Sequence, residues 1–184
     1  MKRKSIGTGY SMCVQPTFIV GTYNEDGSPN FAPITWVSAT CEGKDYMLVV
    51  SIFGTKQTKQ NVIREKSLSV NLASTDMLHL VDYFGSPQKG IGKAEYSYEK
   101  SSYVSAPILD ASRWVYECEV VTSIKTGDSD TFFCKIENIQ IDESIEVGDT
   151  FDIDLTKFDP IIYSGCYHSL GKYLGKIGDF LEDK

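Results

Sequence analysis

Lys56, Gln57 and Thr58 lie in the polar stretch TKQTKQNVIREK that begins at Thr55, with Val62 and Ile63 as its apolar side. This pattern predicts a short surface helix capped by Thr55 or Thr58. Free backbone N–H groups and the positive end of the helix dipole favour an anion at such a start, with Lys56 as point charge and the Thr58 hydroxyl as donor. The plainer alternative is a capped helix beside a solvated lysine. Other chemistry is harder to assemble. His79 and His168 are the only histidines, isolated from each other, and there is no HExxH, so neither a metal site nor a Ser-His-Asp triad is indicated. Cys13, Cys41, Cys118, Cys134 and Cys166 are odd in number and contain no CxxC pair, which argues against a disulfide framework or a zinc site and for small apolar fillers. GTGYSM lacks the GxGxxG spacing and follows no strand, and GKYLGKIG is not a Walker loop.

The elements that must position these residues are mostly strands. PTFIVGTY at 16–23 and NFAPITWVSAT at 30–40 flank NEDGSP, whose Asp26-Gly27 supplies a positive-φ turn, so a hairpin is predicted. DYMLVVSIF at 45–53 reads as a central strand buried on both faces. SLSVNLA at 67–73 alternates, with Leu68, Val70 and Leu72 on a core face and Ser67, Ser69 and Asn71 on a face that is wet or lines a site. Thr75 to Phe84 predicts a second short helix capped by Thr75 or Asp76, and 85–107 shows no regular pattern. WVYECEVVTSI and TFFCKIENIQI around KTGDSD form a second hairpin, and the Gly-rich tail ends in turns and a loop.

The 184 residues, with 41% hydrophobic and no repeat or low-complexity linker, predict one domain spanning 1–184 with a core that needs no staple. A net charge of −7 argues against a nucleic-acid binder. Neither a signal peptide nor a membrane span is read, since the longest nearly apolar run is Tyr46 to Phe53. A soluble protein of a reducing cytoplasm, with no membrane partner, is the expectation.

The block Asn30-Phe31-Ala32-Pro33 with Thr35-Trp36-Val37-Ser38, followed by Lys56-Gln57-Thr58 and Asn61-Val62 and by the tail PIIYSGCYHSLGKYLGKIG, resembles the flavin reductase-like, FMN-binding split β-barrel family, in particular its flavoredoxin-like branch. The resemblance runs from about Pro16 to about Gly178. It implies a mainly β fold, a Greek-key antiparallel split barrel with a few peripheral helices, that forms a homodimer with FMN at the interface. It also implies cofactor contacts from Asn30, from the strand Thr35, Trp36, Val37 and Ser38, from Ser51 and Ile52, from the phosphate pair Lys56 and Thr58, and from Lys93. Trp36 is otherwise read as a core aromatic, and Tyr163, Tyr167 and His168 either cover the ring from the second subunit or pack a C-terminal arm. Many similar proteins carry His where this chain has Asp130.

The implied activity is that of an FMN-containing oxidoreductase. NADH or NADPH would act as transient reductant, and hydride would pass through flavin N5 to a small-molecule or protein electron acceptor. No catalytic acid or base is needed. The alternatives are a flavoredoxin-type electron-transfer carrier without direct NAD(P)H turnover, a barrel that has lost its flavin, and an oxidase of the pyridoxamine-phosphate kind. For the last, the sequence shows no basic residues arranged for a second phosphate.

Overall fold

The computed structural model describes residues 3–5, 7–8, 13–86, 94–145, 147–148 and 153–174. In chain order the elements are β1 (Gln15–Pro16), β2 (Phe18–Tyr23), β3 (Pro29–Ile34), β4 (Val37–Glu42), β5 (Asp45–Phe53), α1 (Gln57–Glu65) and β6 (Ser67–Leu72). A 3-10 turn at Thr75–Met77 leads into α2 (Leu78–Gly85), followed by β7 (Tyr98–Lys100), β8 (Pro107–Leu109), β9 (Trp114–Thr126) and β10 (Ser129–Ile141). The described chain closes with α3 (Leu155–Phe158), β11 (Ile162–Tyr163) and β12 (Tyr167–His168).

Seven strands form one antiparallel sheet in the order β3-β2-β6-β9-β10-β5-β4. Its two edge strands, β3 and β4, are joined in sequence by Thr35 and Trp36 alone. Three peptide steps from Ile34 to Val37 reach at most about 11 Å. The sheet must therefore curl until its edges meet end to end, giving a mainly β, antiparallel barrel split between β3 and β4. The run at 30–40 is thus two strands, and the break falls at residues whose local preference is extended. Thr35 O accepts from Val37 N at 3.0 Å and Trp36 O from Ser51 N at 2.9 Å, which fixes the corner.

The barrel interior holds Phe18, Val20, Val50, Ile52, Leu68, Val70 and Phe132, closed by Phe158. A second core lies outside β2, where Ile19 and Phe31 meet Met77, Leu80 and Val81 of the α2 region. β2 is therefore covered on both sides, and Gly21 is the point of closest approach. A Cβ there would overlap the backbone oxygen of Pro107, Ser69 Oγ and the Phe31 ring. Because backbone cannot step aside as a side chain can, Gly21→Ala is expected to cost about 3 kcal/mol, read as a fall in the urea midpoint at constant m-value.

Several sequence expectations are corrected by the tertiary structure. β5 is next to the edge rather than central, and its ends emerge: Tyr46 is 78% and Phe53 57% exposed. β6 is buried on both faces, because the segment around β8 covers its polar side. Ser69 Oγ donates to Pro107 O at 2.5 Å, and Leu109 N donates to Asn71 Oδ1 at 3.0 Å. The N-cap of α1 is Lys56 with no side-chain cap, since Thr58 is turned inward, and the 3-10 turn before α2 follows Ser74 without a side-chain cap. The irregular stretch 85–107 contains β7 and the start of β8. The β2–β3 and β9–β10 hairpins form as read, with Gly27 and Gly127 at φ of 79° and 58°.

Candidate functional site

A cleft of about 480 Å³ opens beside the Thr35–Trp36 corner. That lies within the range of small-molecule and cofactor sites. One wall is the corner itself with Ser51 and Phe53 from the end of β5, and Lys56 from the N-cap of α1. α2 and its C-cap contribute Val81, Asp82, Gly85 and Ser86 to the lining, and the β11–β12 hairpin contributes Tyr163 and Tyr167.

Gly54, at φ 76°, turns the chain from β5 into α1. No side-chain oxygen caps α1 and no acidic residue sits in its first turn, so its leading amides and the exposed Lys56 form a positive terminus at the cleft. A buried polar network docks this helix on the barrel. Asn30 Nδ2 donates to Thr58 Oγ1 at 2.9 Å and to Thr22 Oγ1 at 3.1 Å, and Asn61 Nδ2 donates to Thr22 Oγ1 at 3.1 Å. Asn30→Ala would leave the buried Thr58 hydroxyl without its donor, and a loss of about 1–2 kcal/mol is expected in chemical denaturation.

Of the residues singled out from the sequence, Thr35, Trp36, Ser51 and Lys56 come together on the cleft lining. Val37 and Ile52 send their side chains into the barrel core, and Ser38 is exposed on β4 opposite Val49. None of these three is among the lining residues. Asn30 and Thr58 face each other behind α1, where they position Lys56 instead of lining the cleft themselves. Lys93 lies outside the described residues. Asp130 pairs with Lys59 Nζ at 2.9 Å, and the same ammonium donates to Asp128 O at 2.9 Å.

Sequence reasoning placed Tyr163 and Tyr167 over a neighbouring subunit's ring or in an arm. They line the cleft of their own chain, with ring centroids 5.7 Å apart. Tyr167 Oη donates to Asp82 Oδ1 at 3.0 Å, and burial, followed by this bond, pushes its phenol up to about 12. His168 is exposed on β12 opposite Ile162. Asp82 and Thr17 were missed altogether. Asp82 looks like any solvated helix residue, and Thr17 like any strand threonine.

Residues 10–165 match the family model described as a flavin reductase like domain. The chain belongs to that family. A flavin reductase-like relative, the FMN reductase (NADH) RutF of Acinetobacter baylyi, is 31% identical over 82 residues, which span 45% of this chain and 42% of the reductase. Flavoredoxin of Desulfovibrio vulgaris (Miyazaki F) superposes with a TM-score of 0.83 at 23% identity, covering 97% of this chain and 99% of that one. A flavin reductase with a split barrel domain from Shewanella frigidimarina superposes at 0.77 with 17% identity, covering 89% and 85% of the two chains. The split-barrel fold is thereby that of the flavin reductase-like proteins. No helix among the described residues is long and apolar enough to cross a membrane.

Proposed function

We propose that the cleft binds FMN and that the protein is an NAD(P)H-linked FMN oxidoreductase. The observation that carries this reading is the uncapped N-terminus of α1, with Lys56, opening onto a cleft whose wall is the Thr35–Trp36 corner. The residues fit the group. Lys56 and the first amides of α1 would hold the phosphate. Ser51 and the main chain of Thr35 and Trp36 would meet the ribityl chain and the polar edge of the ring, and the side chains of Trp36, Tyr163 and Tyr167 would enclose it.

When bound, FMN supplies hydride and electron chemistry, and the protein supplies binding, orientation and electrostatics. Lys56 sets the register of the ligand by fixing one end. The Lys59–Asp130 pair, with side chains 12% and 13% exposed, leaves Asp130 ion-paired with Lys59 instead of presenting an unpaired carboxylate. Titration with FMN, followed by quenching of flavin fluorescence, tests the reading. Saturable one-to-one binding is expected, and no binding would refute it. A flavoredoxin-type carrier is the reading that remains if FMN binds but neither NADH nor NADPH reduces it.

The homodimer belongs to the same proposal. Beyond Glu119, β9 has left β6 and pairs with β10 alone, exposing Val121 and Ile124 at 55% and 56%. Phe53, at the rim of the cleft, is also exposed. These apolar side chains on one sheet end suit a second copy. Sedimentation is expected to show a dimer that Ile124→Asp converts to monomer, and a monomeric wild type would contradict it.

A further inference from the structure

The start of β10 braces the β5–α1 side of the cleft. Asp128 O accepts from Gly54 N at 3.0 Å and from Lys59 Nζ at 2.9 Å, which ties the β9–β10 turn to the turn that leads into α1. Within β10, Thr131 stands opposite Ser51 of β5. Their neighbours Ile52 and Phe132 fill the barrel core, so alternation puts both hydroxyls on the outer side of the wall. Ser51 lines the cleft and Thr131 does not. The two hydroxyls share a hydrogen bond of 2.8 Å in which either can donate. Because Ser51 N also donates to Trp36 O at 2.9 Å, both the backbone and the side chain of Ser51 are held in place.

Each hydroxyl brings one proton and two lone pairs. When Thr131 donates to Ser51, the Ser51 proton is left for the cleft. When Ser51 donates to Thr131, only a lone pair is left. The change needs rotation of the two O–H bonds and no movement of a heavy atom. We propose that Thr131 is a positioning residue which, through Ser51, serves a ligand ring nitrogen that accepts a hydrogen bond when oxidised and donates one when reduced. This rests on the FMN reading, which supplies a nitrogen of that kind: it receives hydride, that is two electrons and one proton, and so turns from acceptor into donor. The two states depend on Thr131 unequally. Toward an acceptor, Ser51 donates without help. Toward a donor, Ser51 must accept, and its own proton then needs an acceptor of its own, which Thr131 Oγ1 provides. Thr131 therefore favours the reduced ligand, by about the worth of one hydrogen bond.

The test compares the wild type with Thr131→Val, Thr131→Ser, Ser51→Ala and the Ser51→Ala, Thr131→Val double variant. Each is saturated with FMN and titrated reductively without oxygen against an indicator dye, and the affinity for oxidised FMN is measured separately by fluorescence quenching. Valine keeps the β-branched shape of threonine and removes only the hydroxyl. Thr131→Val is expected to leave the oxidised affinity within about twofold and to weaken the reduced affinity about three- to tenfold. For a two-electron couple that lowers the midpoint potential by about 15–30 mV. Thr131→Ser is expected to restore the wild-type potential, and Thr131→Val to add no further shift once Ser51 is alanine. An unchanged potential in Thr131→Val, a fall that serine does not restore, or a full shift that persists without the Ser51 hydroxyl would overturn the role of Thr131 and leave the FMN reading standing. No FMN uptake by the wild type would overturn both.

Discussion

Replacing Lys56 by Glu is expected to weaken FMN binding by about a hundredfold or more while leaving the fold in place. The lysine is exposed, is the N-cap of α1 and makes no ion pair among the described residues, so its removal breaks nothing the barrel depends on. A hydrogen bond to a charged group is worth about 1.5–3 kcal/mol, and reversal replaces that attraction by repulsion at the same helix terminus. Each 1.4 kcal/mol is tenfold in affinity. Titration of the variant at low and high salt checks the origin of the effect. An electrostatic loss shrinks as salt screens it, whereas a misfolded variant stays weak in both.

The largest expected loss of stability is at Glu117. This side chain is 0% exposed, on the side of β9 that the segment 101–108 covers. It accepts from Asn138 Nδ2 at 2.7 Å, from Gln140 Nε2 at 2.9 Å and from Ser101 Oγ. Ser101 Oγ in turn accepts from the amides of Tyr103 and Val104, at 3.0 and 2.9 Å. One carboxyl group thus ties β10 and the β7–β8 connection to β9. Glu117→Ala leaves the buried donors without an acceptor, and about 4 kcal/mol of destabilisation is expected. For a chain of this length that lowers the Tm by about 12 °C, visible by calorimetry. A fall of less than about 3 °C would show that the network re-forms around water.

The same two sites mark how much was legible beforehand. The start of α1 near Lys56 was readable from the polar stretch leading into Val62 and Ile63, and both hairpins were readable from β-type runs flanking NEDGSP and KTGDSD. Glu117 was not, because its buried partner Ser101 lies 16 positions away in a segment whose sequence has no regular pattern. The break at Thr35–Trp36 was hidden for a related reason. It is imposed by closure of the sheet, against the extended preference of the residues themselves. Asn30 was read as a flavin contact and Thr58 as part of a phosphate pair with Lys56, but their mutual hydrogen bond could be seen only once α1 was docked on β2 and β3.

The measurement that bears most directly on the central claim is the visible absorption spectrum of the FMN-saturated protein, recorded without oxygen before and after addition of NADH or NADPH. The account predicts a flavin spectrum that bleaches with at least one of the two and returns on admitting an acceptor. A flavin band that persists with both would contradict the reductase reading and leave a carrier. Absence of a protein-bound flavin spectrum, even with FMN in excess, would contradict the account as a whole.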